Sequence, residues 1–196
     1  MAQSIETARL SAELPPLQRL AVAYAPAGSR PAWTALVLLD HRLGRAVAGA
    51  SEPLIGQLKL AWWRDRMREP ASRWPAGEPL LAALRRFDGE RAALEALVDG
   101  WEGLIDDEAG DGALTHLGQA RASVVAALAR IVGCAIEPAA LVALARRWTL
   151  AEQSPSSPIR LPRAMRPLIV LANQPDPAQV GPLALLRIVR LGMLGR

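Results

Sequence analysis

Three carboxylates in the stretch "DGWEGLIDDEAGD", Asp99, Glu102 and Asp106, stand at i, i+3 and i+7, which lines them along one face of a helix. Asp107, Glu108 and Asp111 follow at its exit. Acids so arranged are hard oxygen ligands, the kind Mg²⁺ requires when it bridges a diphosphate inside a helix bundle. Such a site needs a second acidic face opposite the first, and residues 113–151 supply only Glu137, at the start of a helical pattern. The acids therefore read as a solvated helix face with an acidic exit loop, and a metal site is the alternative.

Other chemistry-bearing residues are sparse. His41 and His116 are the two histidines, and neither has neighbours in the sequence that would complete a zinc site or a nucleophilic triad. Asp40, His41 and Arg42 form a polar break in an otherwise apolar helix, read as an exposed face, with a cavity lining as the alternative. "GASEPLIG" has neither the spacing nor the Lys-Ser/Thr pair of a phosphate loop, and no nucleophile elbow occurs. No cofactor is expected. Cys134, the single cysteine, rules out an intramolecular disulfide and lies in an apolar run.

The elements that position these residues are helical. Proline and glycine punctuate segments at roughly 3–13, 16–24, 29–49, 53–68, 78–87, 90–107, 113–133, 138–152, 163–173 and 182–194. The breaks at 68–79, 106–112 and 152–158 are short, so residues 1–196 are expected to form one all-α domain. Leu36, Leu39, Leu43 and Val47 share one stripe; Leu54, Leu58, Ala61 and Trp62 share another, and these two helices are expected to pack through them. On that phase Trp62 is core, whereas Trp63 and Arg64 point toward a cavity or its mouth.

A hydrophobic fraction of 51% suffices for a core, and the net charge of +4 is carried almost wholly by arginine, Lys59 being the one lysine. The arginines are not grouped with aromatic platforms, which argues against a nucleic-acid partner. The first residues carry charges where a secretory signal needs an apolar run, and charges interrupt every candidate membrane span. A cytoplasmic protein is expected. The tail "LALLRIVRLGMLGR", with Arg187, Arg190 and Arg196, forms a basic amphipathic helix suited either to docking on the bundle or to peripheral contact with an anionic inner membrane.

Three stretches in order, "YAPAGSRPAWTALVLLDHRLGRAV", "SEPLIGQLKLAWWRD" and "IRLPRAMRPLIVLA", resemble the squalene/phytoene synthase family. The most specific element is Glu-Pro, two apolar residues, Gly-Gln, an apolar residue, Arg/Lys-Leu, any residue, then Trp-Trp-Arg. The resemblance implies an isoprenoid-synthase-like helix bundle around an apolar cavity. In active members that cavity holds two prenyl diphosphates, bound through Mg²⁺ on two aspartate-rich motifs. The first motif, of the Asp-Asp-x-Val-Asp-Glu kind, falls on Gly44, Arg45, Ala46, Val47, Ala48 and Gly49, where every acid is missing. The second falls in "LARRWTLAEQSPSSP", where Glu152 alone is acidic and Arg146 and Arg147 add positive charge.

Loss of both metal clusters removes the charge stabilisation that diphosphate departure needs. What the resemblance then implies is a non-catalytic branch, similar to the phytoene-synthase-like assembly factors of respiratory complex I. Its partners would be an isoprenoid or quinone-like lipid, or a membrane protein complex, with Trp63, Arg64, Asp40 and Arg45 as candidate ligand-pocket residues. The alternative is a prenyltransferase, dependent on a subunit or on arginines, in which Arg45, Arg64 and Arg146 or Arg147 converge and the acids of 99–106 turn inward. A plain helical interaction module is the third reading.

Overall fold

Proline stands at the first or second position of six helices, where its missing N–H costs no hydrogen bond and its fixed φ suits the first turn. This is why the punctuation of the sequence predicts the helix starts so closely. The computed structural model describes residues 2–49, 52–105, 110–150, 159–174 and 189–193. In chain order the helices are α1 (Ala2–Ala12), α2 (Pro16–Ala23), α3 (Arg30–Ala48), α4 (Pro53–Arg68), α5 (Pro79–Leu84), α6 (Arg91–Glu102), α7 (Asp111–Ile131), α8 (Pro138–Leu150) and α9 (Arg166–Ala172). Short 3₁₀ turns at Ala71–Arg73, Arg85–Glu90 and Arg163–Met165 join them, and no strand occurs among the described residues. The all-α expectation holds.

α3 is the axial element. It buries residues on nearly every side over its first turns, from Ala32 to Asp40, and packs on α1, α2, α4, α5 and α6. α7 lies between α6 and α8, and α9, buried along Pro167–Ala172, sits between α8 and α2. One continuous apolar cluster runs from Leu10 to Ala172. The Trp33 indole N–H donates to the Ala164 carbonyl at 2.7 Å, pinning the first turn of α3 to the turn before α9.

Two expectations need correction. α6 ends at Glu102, capped by Gly103, short of the expected end at residue 107; Asp106, Asp107 and Glu108 lie outside the described residues, as does Glu152. α4 is rotated relative to its expected phase. It buries Gly56, Leu60, Trp63 and Met67, whereas Leu54, Leu58 and Trp62 are exposed. The physical reason is charge: Arg64 donates to Asp99 at 2.7 Å and also to Glu102, and Arg68 donates to Glu95 at 2.6 Å. These pairs along α6 turn the arginine edge of α4 toward it and carry Trp63 inward.

The described part of the C-terminal segment docks on the bundle. The Tyr24 hydroxyl donates to the Val189 carbonyl, Arg166 donates to the Met193 carbonyl at 2.6 Å, and Leu191 packs on the core. Residues 182–188 and 194–196 of the expected tail helix, Arg187 and Arg196 among them, lie outside the described residues.

α6 and α7 touch at Gly100, where an added Cβ would lie 3.0 Å from Ala120 Cβ and 3.1 Å from Leu117 Cα. Gly100→Val is expected to destabilise the fold by about 1–3 kcal/mol through overpacking. Gly89→Ala, whose Cβ meets nothing within 4 Å, serves as its neutral control. Urea denaturation of both variants checks the pair.

Candidate functional site

Asp40 sits at the middle of α3 with 2% of its surface exposed, not on a solvated face. Its carboxylate accepts from Arg121 of α7 through Nε and Nη2, both at 2.9 Å, and Trp101 of α6 donates its indole N–H to Asp40 Oδ1 at 3.0 Å. Arg121 is itself 6% exposed. Its guanidinium lies between two indoles, 5.1 Å from the Trp101 ring and 4.4 Å from that of Trp148 on α8, a cation–π arrangement on both faces. Its remaining nitrogen donates to Thr149 Oγ1 at 3.2 Å. Four helices thus meet at one neutralised ion pair.

Burying a carboxylate and a guanidinium is tolerable only when they face each other with full hydrogen bonding, and the fork-to-fork geometry meets that condition. The sequence reading missed Arg121, Trp101 and Trp148. The available signal was Arg121 itself, a cation in the run "GQARASVVAALA" whose neighbours are small or apolar.

A second feature lies one turn further along α3. A cavity of about 390 Å³ is lined by Arg42, Arg45, Ala46, Gly49, Lys59, Trp62 and Trp63. Trp62 and Trp63 meet edge to face with centroids 4.9 Å apart. Arg42 is held by Glu13 at 2.8 Å and Glu78 at 2.9 Å; burial opposes its charge, and these two hydrogen bonds outweigh that, so its pKa stands above the ordinary value. His41, next to it, is held below the ordinary histidine value by burial and then by the Arg45 charge, with Asp40 and Glu13 opposing and Arg42 adding to the effect.

Of the four candidate pocket residues, Trp63 and Arg45 line this cavity, Asp40 is closed off by Arg121, and Arg64 is turned to α6. Burial works against the Arg64 charge, and bonds to Glu102 and Asp99 overcome it, raising its pKa. The acids once read as a solvated face are therefore partners of α4. Arg45, Arg64 and Arg147 do not converge: Arg147 donates to Asn173 at 2.6 Å, away from the cavity.

A family model described as squalene/phytoene synthase matches residues 19–153, well over half of the chain. No curated protein and no solved structure matches the chain. The match spans both positions that the resemblance assigns to the metal motifs, apart from the last residues of the second. At the first, Gly44 packs under the Trp101 ring and Arg45 opens on the cavity. At the second, Trp148 and Thr149 grip Arg121.

Removing one partner of the buried pair leaves the other uncompensated. Asp40→Leu and Arg121→Met are each expected to lose about 3–5 kcal/mol in urea denaturation, and the double variant to recover most of it. Single losses near those of an exposed pair, below about 1 kcal/mol, would contradict the burial. His41, with its depressed pKa, binds a proton more weakly folded than unfolded; its stabilising share is full above the ordinary value of 6.5 and is lost as pH falls through the folded value. Thermal melts of His41→Gln are expected to fall less steeply with acidification than those of the parent.

Proposed function

Because the chain belongs to the squalene/phytoene synthase family, we propose that it is a member without head-to-head synthase activity, acting as an isoprenoid- or lipid-binding protein or as an assembly protein of a membrane complex. The observation that carries this reading is the junction of Asp40, Arg121, Trp101 and Trp148. In active members the helices bearing the two aspartate-rich motifs face each other across metal ions and diphosphate. Here the corresponding helices, α3 and α8, are bridged by a buried guanidinium and its indole neighbours.

Electrostatics supports the same reading. Diphosphate departure needs cations held against the leaving group by carboxylates. The first motif position presents Arg45 instead, and among the described residues no group of three His, Cys, Asp or Glu side chains is placed to hold a metal ion. The alternative, a prenyltransferase using arginines or a second subunit, would take its diphosphate at the cavity of Arg42, Arg45 and Lys59. A peripheral position on the inner membrane belongs to the proposal; the basic C-terminal segment, the contact expected from the sequence, is docked on the bundle over its described part. Arg190 and Met193 face outward there, and no helix among the described residues is long and apolar enough to cross a membrane.

Two measurements separate the readings. The protein, extracted natively, is expected to carry an isoprenoid or quinone-like lipid visible by mass spectrometry. Titration with farnesyl and geranylgeranyl diphosphate is expected to show no dependence on Mg²⁺ and no joined product. Mg²⁺-dependent affinity with product formation would establish the prenyltransferase, and the absence of any lipid would point to the assembly role.

A further inference from the structure

α4 is apolar on two opposite faces. One packs inward through Leu60, Trp63 and Met67. The other leaves Leu54 60%, Ile55 38%, Leu58 63% and Trp62 41% exposed, half of the eight large apolar side chains exposed among the described residues, all within nine positions. Such clustering marks an interaction surface. The stripe is about 12 Å long at the helical rise, with Glu52 before it and Asp65 at its far end, both exposed.

The charge beside the stripe says what covers it. Trp62 belongs at once to the stripe and to the wall of the cavity that holds Arg42, Arg45 and Lys59, and among the described residues no carboxylate lines that cavity. Glu13 and Glu78 answer Arg42, whereas Arg45 and Lys59 make no ion pair with a described residue. Arg66, on the cationic side of α4, pairs with Glu69 at 3.5 Å. An apolar strip edged by an indole and by two cations that no described carboxylate answers matches the margin of a phospholipid layer: acyl chains against the leucines, phosphate between the cations, indole at the boundary. A second copy of the chain fits less well, since a two-fold contact through this face doubles the Arg45 and Lys59 charges along its edge, which no described carboxylate answers.

We propose that the outer face of α4 seats the protein on an anionic membrane, with a phospholipid phosphate held by Arg45 and Lys59 at the Trp62/Trp63 cavity. The proposal stands apart from the question of catalysis, because an active synthase would rest on a membrane equally well. It also places the contact on α4, not on the C-terminal segment.

The test is flotation of the full chain with vesicles of phosphatidylcholine alone or with about 30% phosphatidylglycerol, at low and high salt. The parent is expected to float with the anionic vesicles and to detach at high salt. Arg45→Gln with Lys59→Gln is expected to weaken binding about thirtyfold, from roughly one factor of five to six per cation. Leu54→Ser with Leu58→Ser is expected to weaken it comparably, and Arg190→Gln to leave it unchanged. Circular dichroism melts confirm that these surface variants fold. Absence of flotation, or binding indifferent to both double variants, overturns the proposal, as does loss on Arg190→Gln. A dimer in size-exclusion chromatography that Leu54→Ser with Leu58→Ser dissolves, without flotation, assigns the face to a second copy instead. None of these readouts reports on Mg²⁺ or prenyl diphosphates, so failure here leaves the non-catalytic reading untouched.

Discussion

A carboxylate and a guanidinium removed from water at the meeting of four helices constrain everything around them. Burying Asp40 in the centre of α3 is tolerable only because Arg121 reaches it from α7, and burying Arg121 requires acceptors and π-faces on its other sides. Trp101 and Trp148 supply those faces from α6 and α8, and Thr149 takes a remaining donor. The relative depth and rotation of four helices thus follow from satisfying one pair. Apolar packing fills the rest of the interior, but it tolerates rearrangement far better than a buried charge does.

The same logic, at partial exposure, governs α4. Its arginine edge is answered by Glu95, Asp99 and Glu102 along α6, and that correspondence, together with the second apolar face of Leu60, Trp63 and Met67, sets which side faces inward in place of Leu54, Leu58 and Trp62. The Trp-Trp-Arg element therefore has three separate environments for three adjacent residues: Trp62 at the surface, Trp63 inside, Arg64 bound across to α6. Family membership accounts for the element as framework, and its outer tryptophan is left at the border between apolar surface and a basic cavity.

Helix boundaries were legible because they are local. Proline at a first turn and glycine past a last one act within a few residues, so nine segments could be placed from the sequence to within a few positions. Helix rotation was not legible, since α4 offers apolar residues on two sides and the choice lies in α6, some thirty residues on. Asp40 failed for the same reason: its neighbours His41 and Arg42 suggest solvent, and the residue that answers it is 81 positions away. Trp63 and Arg45 line the cavity, Trp63 on an α4 rotated from its expected phase, whereas Arg64 is bound by acids that the sequence reads as solvated.

Those separations have a consequence for how the chain reaches this state. Asp40 meets Arg121 across 81 residues, Trp33 meets the Ala164 carbonyl across 131, and Tyr24 meets Val189 across 165. During vectorial synthesis Asp40 emerges long before Trp101 and Arg121, the groups that answer it, with an ionised carboxylate amid leucines. Premature collapse around it is disfavoured by the cost of burying that charge unpaired. The carboxylate cannot reach its final, paired environment before α7 is made, so the interior around α3 is completed late in synthesis, after a long interval in which apolar surface of the early helices is available to chaperones.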